Sequence, residues 1–188
     1  MPKSALCLLA LASILASSAH AGTGVTAPPA ATVEAEPVLQ VPTADYRTTW
    51  VQLGTYAVIA DAPADGAKKF QYVYTERKNL EAYLKSGSFP DGTVLVKDVY
   101  AGKTETMSCG IVSYAGDLVG RFILVRDSTN ARAASSPRFG DGWGWAFYQG
   151  SETKMTTTTN YKTDCLGCHE PARATDFVFV QGYPLLRK

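Results

Sequence analysis

Between residues 48 and 149 the chain returns to one signal: short runs of β-branched and aromatic residues. The runs are Thr48 to Ala60, Lys68 to Thr75, Thr93 to Ala101, Gly110 to Ala115, Leu118 to Asp127 and Trp143 to Gln149. So many strand segments with so little helical periodicity predict a mainly β (α+β) domain, an antiparallel sheet carrying a few helices. One interruption, Glu76 to Ser86, sets Leu80, Tyr83 and Leu84 on one helical face, with Gly87 as its stop. Phe89-Pro90-Asp91-Gly92-Thr93 reads as a turn entering a strand, and Ser128 to Gly140 as polar and irregular. Tyr161 to Ala172 is predicted as a second helix, near the C-terminus.

The first residues read as an export signal. Lys3 precedes an apolar stretch from Ala5 to Ala16, and Ala19-His20-Ala21 supplies a small-x-small cleavage site. Residues 1–21 are therefore expected to be a signal peptide cut after Ala21, and in a bacterium the product is periplasmic. The apolar stretch is shorter than the roughly 20 residues of a spanning helix, so no membrane span is expected after cleavage. Leu6 before Cys7 does not fit a lipoprotein pattern. Residues 22–44 carry Pro28, Pro29, Pro37 and Pro42 and no period, and are expected to form a flexible Ala/Pro-rich lead. That leaves residues 45–188 as one domain, large enough to need no disulfide. With 18 basic against 17 acidic residues, the chain is neither a basic nucleic-acid binder nor a charge-driven disordered segment.

Cleavage would leave the cysteines Cys109, Cys165 and Cys168 and the single histidine His169. Cys165-Leu166-Gly167-Cys168-His169 is the C-x-x-C-H pattern of covalent haem c attachment. Two thiols at this spacing match two vinyl groups on one edge of the porphyrin, and the adjacent imidazole reaches the iron. Export agrees with this chemistry, which takes place outside the cytoplasm. Two other readings use the same residues. One is a disulfide with His169 incidental; the other is zinc held by Cys109, Cys165, Cys168 and His169. Cys109 itself reads as a buried small residue, with an intermolecular disulfide as the alternative. The Thr156 to Thr159 run reads as a solvated connection.

With one histidine, a second imidazole on the iron would have to come from a partner chain. Met107 and Met155 both precede the motif and read as packing or loop residues, so the sixth position is expected to be open to a small molecule. A methionine on the iron would instead make an electron-transfer cytochrome. In the strand from Thr93 to Tyr100, one face carries Leu95, Lys97 and Val99; Val94, Val96, Asp98 and Tyr100 share the other. Lys97 thus has apolar neighbours on its own face, costly for an unpaired ammonium. Either it snorkels or pairs across strands, or it is aimed at the cofactor.

These residues together resemble the cytochrome P-460 and cytochrome c′-beta group. The resemblance runs through Tyr46-Arg47, Trp50, Gly54-Thr55, Asp91-Gly92-Thr93-Val94, Val96-Lys97 and Gly116-Asp117. It continues in Trp145-Ala146-Phe147-Tyr148, the haem motif, Thr175-Asp176, Val178-Phe179 and Tyr183-Pro184. It implies a mainly β homodimer with one five-coordinate haem ligated by His169, and a cytochrome as redox partner. In the P-460 branch a lysine at the position of Lys97 is crosslinked to the haem, and the enzymes oxidise hydroxylamine with a distal carboxylate and a nearby arginine. Here Phe122 stands at the carboxylate position and Gln71 at the arginine position. A positioned general base contributes typically 10²- to 10⁴-fold, which a phenyl ring cannot supply. Asp117, Asp98 and Glu105 are the carboxylates available as substitutes. The expectation is therefore a haem c protein with an apolar pocket for NO or CO, as in the c′-beta branch. The alternative is a hydroxylamine oxidoreductase with Lys97 crosslinked.

Overall fold

The computed structural model describes residues 33–34 and 37–187. The expected signal peptide and most of the expected lead lie outside the described residues. In chain order the elements are β1 (Val33–Glu34), α1 (Tyr46–Thr49), β2 (Val51–Ile59), β3 (Ala67–Thr75), α2 (Arg77–Ser86), β4 (Val94–Met107) and β5 (Gly110–Arg126). There follow β6 (Phe139–Gly140), β7 (Trp143–Gln149), β8 (Met155–Thr156), α3 (Tyr161–Asp164) and α4 (Leu166–His169), then short 3-10 turns to Leu186. The main sheet has six strands in the order β2-β3-β4-β5-β7-β6, with every pairing antiparallel. β1 and β8 form a separate pair.

The mainly β architecture predicted from the strand runs is the one found, and α2 ends where expected: Gly87 takes the left-handed conformation at φ 78°. The two runs predicted as separate strands, 110–115 and 118–127, are one strand of 17 residues. It pairs along the whole of β4, and register irregularities near Val99 to Gly102 absorb the extra residues without ending the ladder. Beyond Lys69↔Ala101 the hairpin has left β3 and projects as an arm. The arm exposes Met107, Tyr114 and Ile111, the last at 74%. Cys109 sits in its turn and is exposed, not the buried small residue expected.

Strand alternation gives the sheet two buried faces. On one, Leu53, Val73, Leu95, Leu124 and Trp145 pack with Leu80 of α2 and with Phe177, Val178, Tyr183 and Leu186 from the C-terminal segment. On the other, Tyr74, Val96, Ile123, Ala146 and Tyr148 pack with Leu39, Val41 and Tyr46. The second cluster corrects the boundary at Asp45. Leu39 is 0% exposed, and its carbonyl accepts a 2.6 Å hydrogen bond from the Tyr148 hydroxyl. Burying one leucine stabilises by roughly 1.5–3 kcal/mol, which outweighs the lack of any regular period around it. The Thr156 to Thr159 run is likewise not a solvated link. Thr156 and Thr158 are buried, and their hydroxyls bond the backbone of Phe147.

The expected helix from Tyr161 to Ala172 is broken. Cys165 adopts φ −130° and ψ −44° between α3 and α4, and the chain continues as a 3-10 segment from Glu170 to Thr175. Gly54 in β2 lies against Gly182, and a Cβ there would collide with the Gly182 carbonyl. This close approach seats the C-terminal segment on the sheet. Among the described residues no helix is long and apolar enough to cross a membrane.

Candidate functional site

The register of the sheet sets Val73, Lys97, Phe122 and Phe147 in one row across β3, β4, β5 and β7. Between this face and the segment at residues 177–183 lies a cavity of about 280 Å³. The sheet contributes Val73, Leu95, Lys97 and Leu124, and the opposite wall contributes His169 and Phe179. Gln71 also lines it, so three of the residues singled out from the sequence (Lys97, Gln71 and His169) meet at one cavity.

His169 is held as a ligand would be. Its Nδ1 lies 2.8 Å from the Phe177 carbonyl, which can only accept, so Nδ1 carries the proton and the Nε2 lone pair is free. Trp145 meets the ring edge-on at 5.0 Å, and Phe179 packs at 5.7 Å. Burial lowers the imidazole pKa and nearby Lys97 adds to the effect, while the Phe177 hydrogen bond opposes them. The neutral, donor-ready form is favoured. The Phe177 carbonyl owes its place to an uncommon backbone: Asp176 and Phe177 both have positive φ, 59° and 61°. For an aromatic residue this conformation costs of order 1–3 kcal/mol.

Asn160 caps α3 by accepting from the Lys162 amide, and the Asp164 carboxylate accepts from the Thr159 and Asn160 amides. The break after α3 then puts Cys165 inside, where burial pushes its thiol up to about 11 against the Thr158 hydroxyl bond. Cys168 is exposed, one turn on and next to His169.

Lys97 neither snorkels nor pairs. Among the described residues no carboxylate pairs with it, and its Nζ stands 4.2 Å from the centre of the Phe122 ring. Burial lowers its pKa to about 8, opposed only by the proximity of the two cysteine sulfurs of the Cys165–His169 motif. Phe122 itself packs on Phe147 at 4.5 Å.

The substitute carboxylates are elsewhere. Asp98 points to the opposite face, is fully buried, and accepts hydrogen bonds from Tyr46 and Arg47. Glu105 and Asp117 lie exposed on the arm. Met107 is on the arm too, and Met155 lies in β8; neither lines the cavity. Among the described residues no three His, Cys, Asp or Glu side chains converge as a metal site, and Cys109 is far along the arm from the other ligands of the zinc reading.

Two participants were not singled out from the sequence. Tyr56 donates to the Phe179 carbonyl at 2.9 Å and accepts from the Gly182 amide at 2.7 Å, pinning the segment that closes the cavity. Its place in the alternation of β2 was the available signal. The Phe177 carbonyl left none, because the conformation that aims it uses no glycine.

An imidazole lone pair facing an apolar cavity, beside two thiols one turn apart, fits an iron porphyrin tethered by its edge. A family model described as cytochrome P460 matches residues 43–180. No curated protein matches the chain.

Proposed function

Because this chain belongs to the cytochrome P460 family, whose members are haem-binding cytochromes, we propose that it holds one haem c and captures a small neutral ligand such as NO or CO on its iron. Cys165 and Cys168 would form the two thioethers, and His169 Nε2 would ligate the iron. The observation that carries this reading is the wall of the cavity: His169 enters it, and the lining is apolar except for Lys97, Gln71 and tyrosine hydroxyls. Bound ferrous haem supplies an iron that takes diatomic ligands. Around it, Val73, Leu95 and Leu124 exclude water, while Phe122, which does not line the cavity, packs against the Lys97 amine. The Phe177 carbonyl fixes the tautomer and ring plane of His169.

Titration of the ferrous protein with NO tests this directly. One equivalent should bind per chain, with hydroxylamine turnover no faster than with free haem. Failure to bind NO, or rapid hydroxylamine turnover, overturns the reading. An exported, homodimeric state belongs to the same proposal, and light scattering on the mature protein checks the dimer.

A second reading, hydroxylamine oxidation with Lys97 joined to the haem ring, is favoured by one observation. The Lys97 amine faces the cavity with a pKa of about 8, so a substantial neutral, nucleophilic fraction exists near physiological pH. Peptide mass spectrometry distinguishes the two: haem on the Lys97 peptide supports the second, and an unmodified peptide supports the first.

A further inference from the structure

We propose that Arg126, Asp176 and Trp143 form a positioning clamp that sets the hydrogen bond on His169, and through it how strongly that imidazole donates to iron. The proposal rests on His169 being the iron ligand. None of the three lines the cavity.

Phe177 can offer its carbonyl to Nδ1 only because Asp176 and Phe177 are both left-handed, and neither is a glycine. A strained pair of this kind persists where its surroundings over-determine it. Here the surroundings are specific. The Trp143 indole Nε1 donates to the Asp176 carbonyl at 3.0 Å, and Trp143 is 0% exposed. Arg126 Nη1 donates to the Asp176 carboxylate at 3.0 Å and to the Gly142 carbonyl at 3.1 Å. The guanidinium lies over the Trp143 ring, 5.0 Å from its centre. On the other side the Phe177 amide donates to the Ala172 carbonyl at 2.8 Å.

The arginine is placed for this task rather than for its own satisfaction. Its Nε is buried without a hydrogen-bond partner, so the side chain is held by what Nη1 and the indole ring do. The clamp therefore ties the ends of β5 and β7 to the one carbonyl that orients the ligand. A hydrogen bond accepted from a ligating imidazole raises its basicity and stabilises the oxidised metal. Loosening the clamp should lengthen that bond, weaken donation and raise the reduction potential.

The test uses ferrous holoprotein, with resonance Raman for the iron–His169 stretch and potentiometry for the haem couple. Trp143→Phe keeps the ring and removes the N–H; Asp176→Asn keeps a residue that tolerates the left-handed region and removes the ion pair. Both should lower the stretching frequency and raise the potential. Arg126→Met should do the same, with Arg126→Lys recovering part of the shift. Tyr100→Phe, on the opposite face of the sheet, should leave both readouts unchanged. If Trp143→Phe fails to fold, Asp176→Asn decides. Wild-type frequency and potential in haem-loaded variants overturn the clamp while leaving His169 ligation standing. Absence of an iron–histidine stretch in the wild type overturns both.

Discussion

Lys97 and Asp98 are neighbours in sequence, opposite in charge and on opposite faces of one strand. Their surroundings could hardly differ more. Asp98 is fully buried and answered from all sides: Tyr46 at 2.7 Å, Arg47 at 2.6 Å, Tyr100 at 3.3 Å, and Arg121 as an ion pair at 3.7 Å. Lys97 faces a cavity with a phenyl ring and two thiols for company. A buried charge with a complete partner set is a structural element, whereas one without partners is a cost that folding alone does not explain. The same alternation that makes one face a scaffold leaves the other available for chemistry.

The largest expected effect comes from breaking the satisfied side. Asp98→Ala leaves the buried Arg121 without its carboxylate counter-charge and should destabilise the protein by about 3–5 kcal/mol, read by denaturant unfolding. A loss under 1 kcal/mol would mean that the network contributes little. Next comes the unsatisfied side. In protein expressed without haem attachment, Lys97→Met should stabilise the fold by about 2–3 kcal/mol at neutral pH.

The sign follows from the depressed pKa, about 8 in the folded chain against 10.5 for an ordinary lysine. Below pH 8 the ammonium is protonated in both states, and the full penalty is present. Between pH 8 and 10.5 the unfolded chain binds the proton that the folded chain has released. Wild-type stability should therefore rise with pH across that window and approach that of Lys97→Met. Parallel curves for the two proteins would contradict the placement of Lys97.

Giving Lys97 a partner should make it resemble Asp98. Phe122→Glu places a carboxylate beside the ammonium; an adjacent opposite charge raises a lysine pKa by about 1–3 units. The rise in stability above pH 8 should flatten accordingly, worth roughly 1–2 kcal/mol of the penalty. An unchanged slope would show that the two side chains do not meet. The smallest effect is Tyr100→Phe, which removes the longest of the hydrogen bonds to Asp98, at 3.3 Å. Thermal unfolding should show a loss of about 0.5–1 kcal/mol.

The sheet was legible because strand alternation is a local property. Leu95 and Lys97 against Val96 and Asp98 could be assigned to faces from spacing alone, and the two faces are as read. The meeting of Lys97, Gln71 and His169 was legible only through the family resemblance, since three distant segments contribute. What sequence could not supply was tertiary in origin. Leu39 looked like part of a Pro-rich lead because the Tyr148 hydroxyl that fixes it is over a hundred residues away. Cys165 breaks a segment of helical pattern, and the Asp176-Phe177 kink carries no glycine to announce it. The runs 110–115 and 118–127 look separate because Gly116-Asp117 interrupts the β-branched pattern, whereas in the structure these two residues fall in an irregularity of one continuous strand.

The haem proposed here is tethered, ligated by His169 and open on its opposite face. The absorption spectrum of the purified ferrous protein, expressed with the machinery for haem c attachment, tests it most directly. A high-spin, five-coordinate haem is expected; an ordinary Soret band leaves Lys97 free, and a broadened, strongly red-shifted one marks it as crosslinked. A low-spin, six-coordinate spectrum, or no haem bands at all, would contradict it.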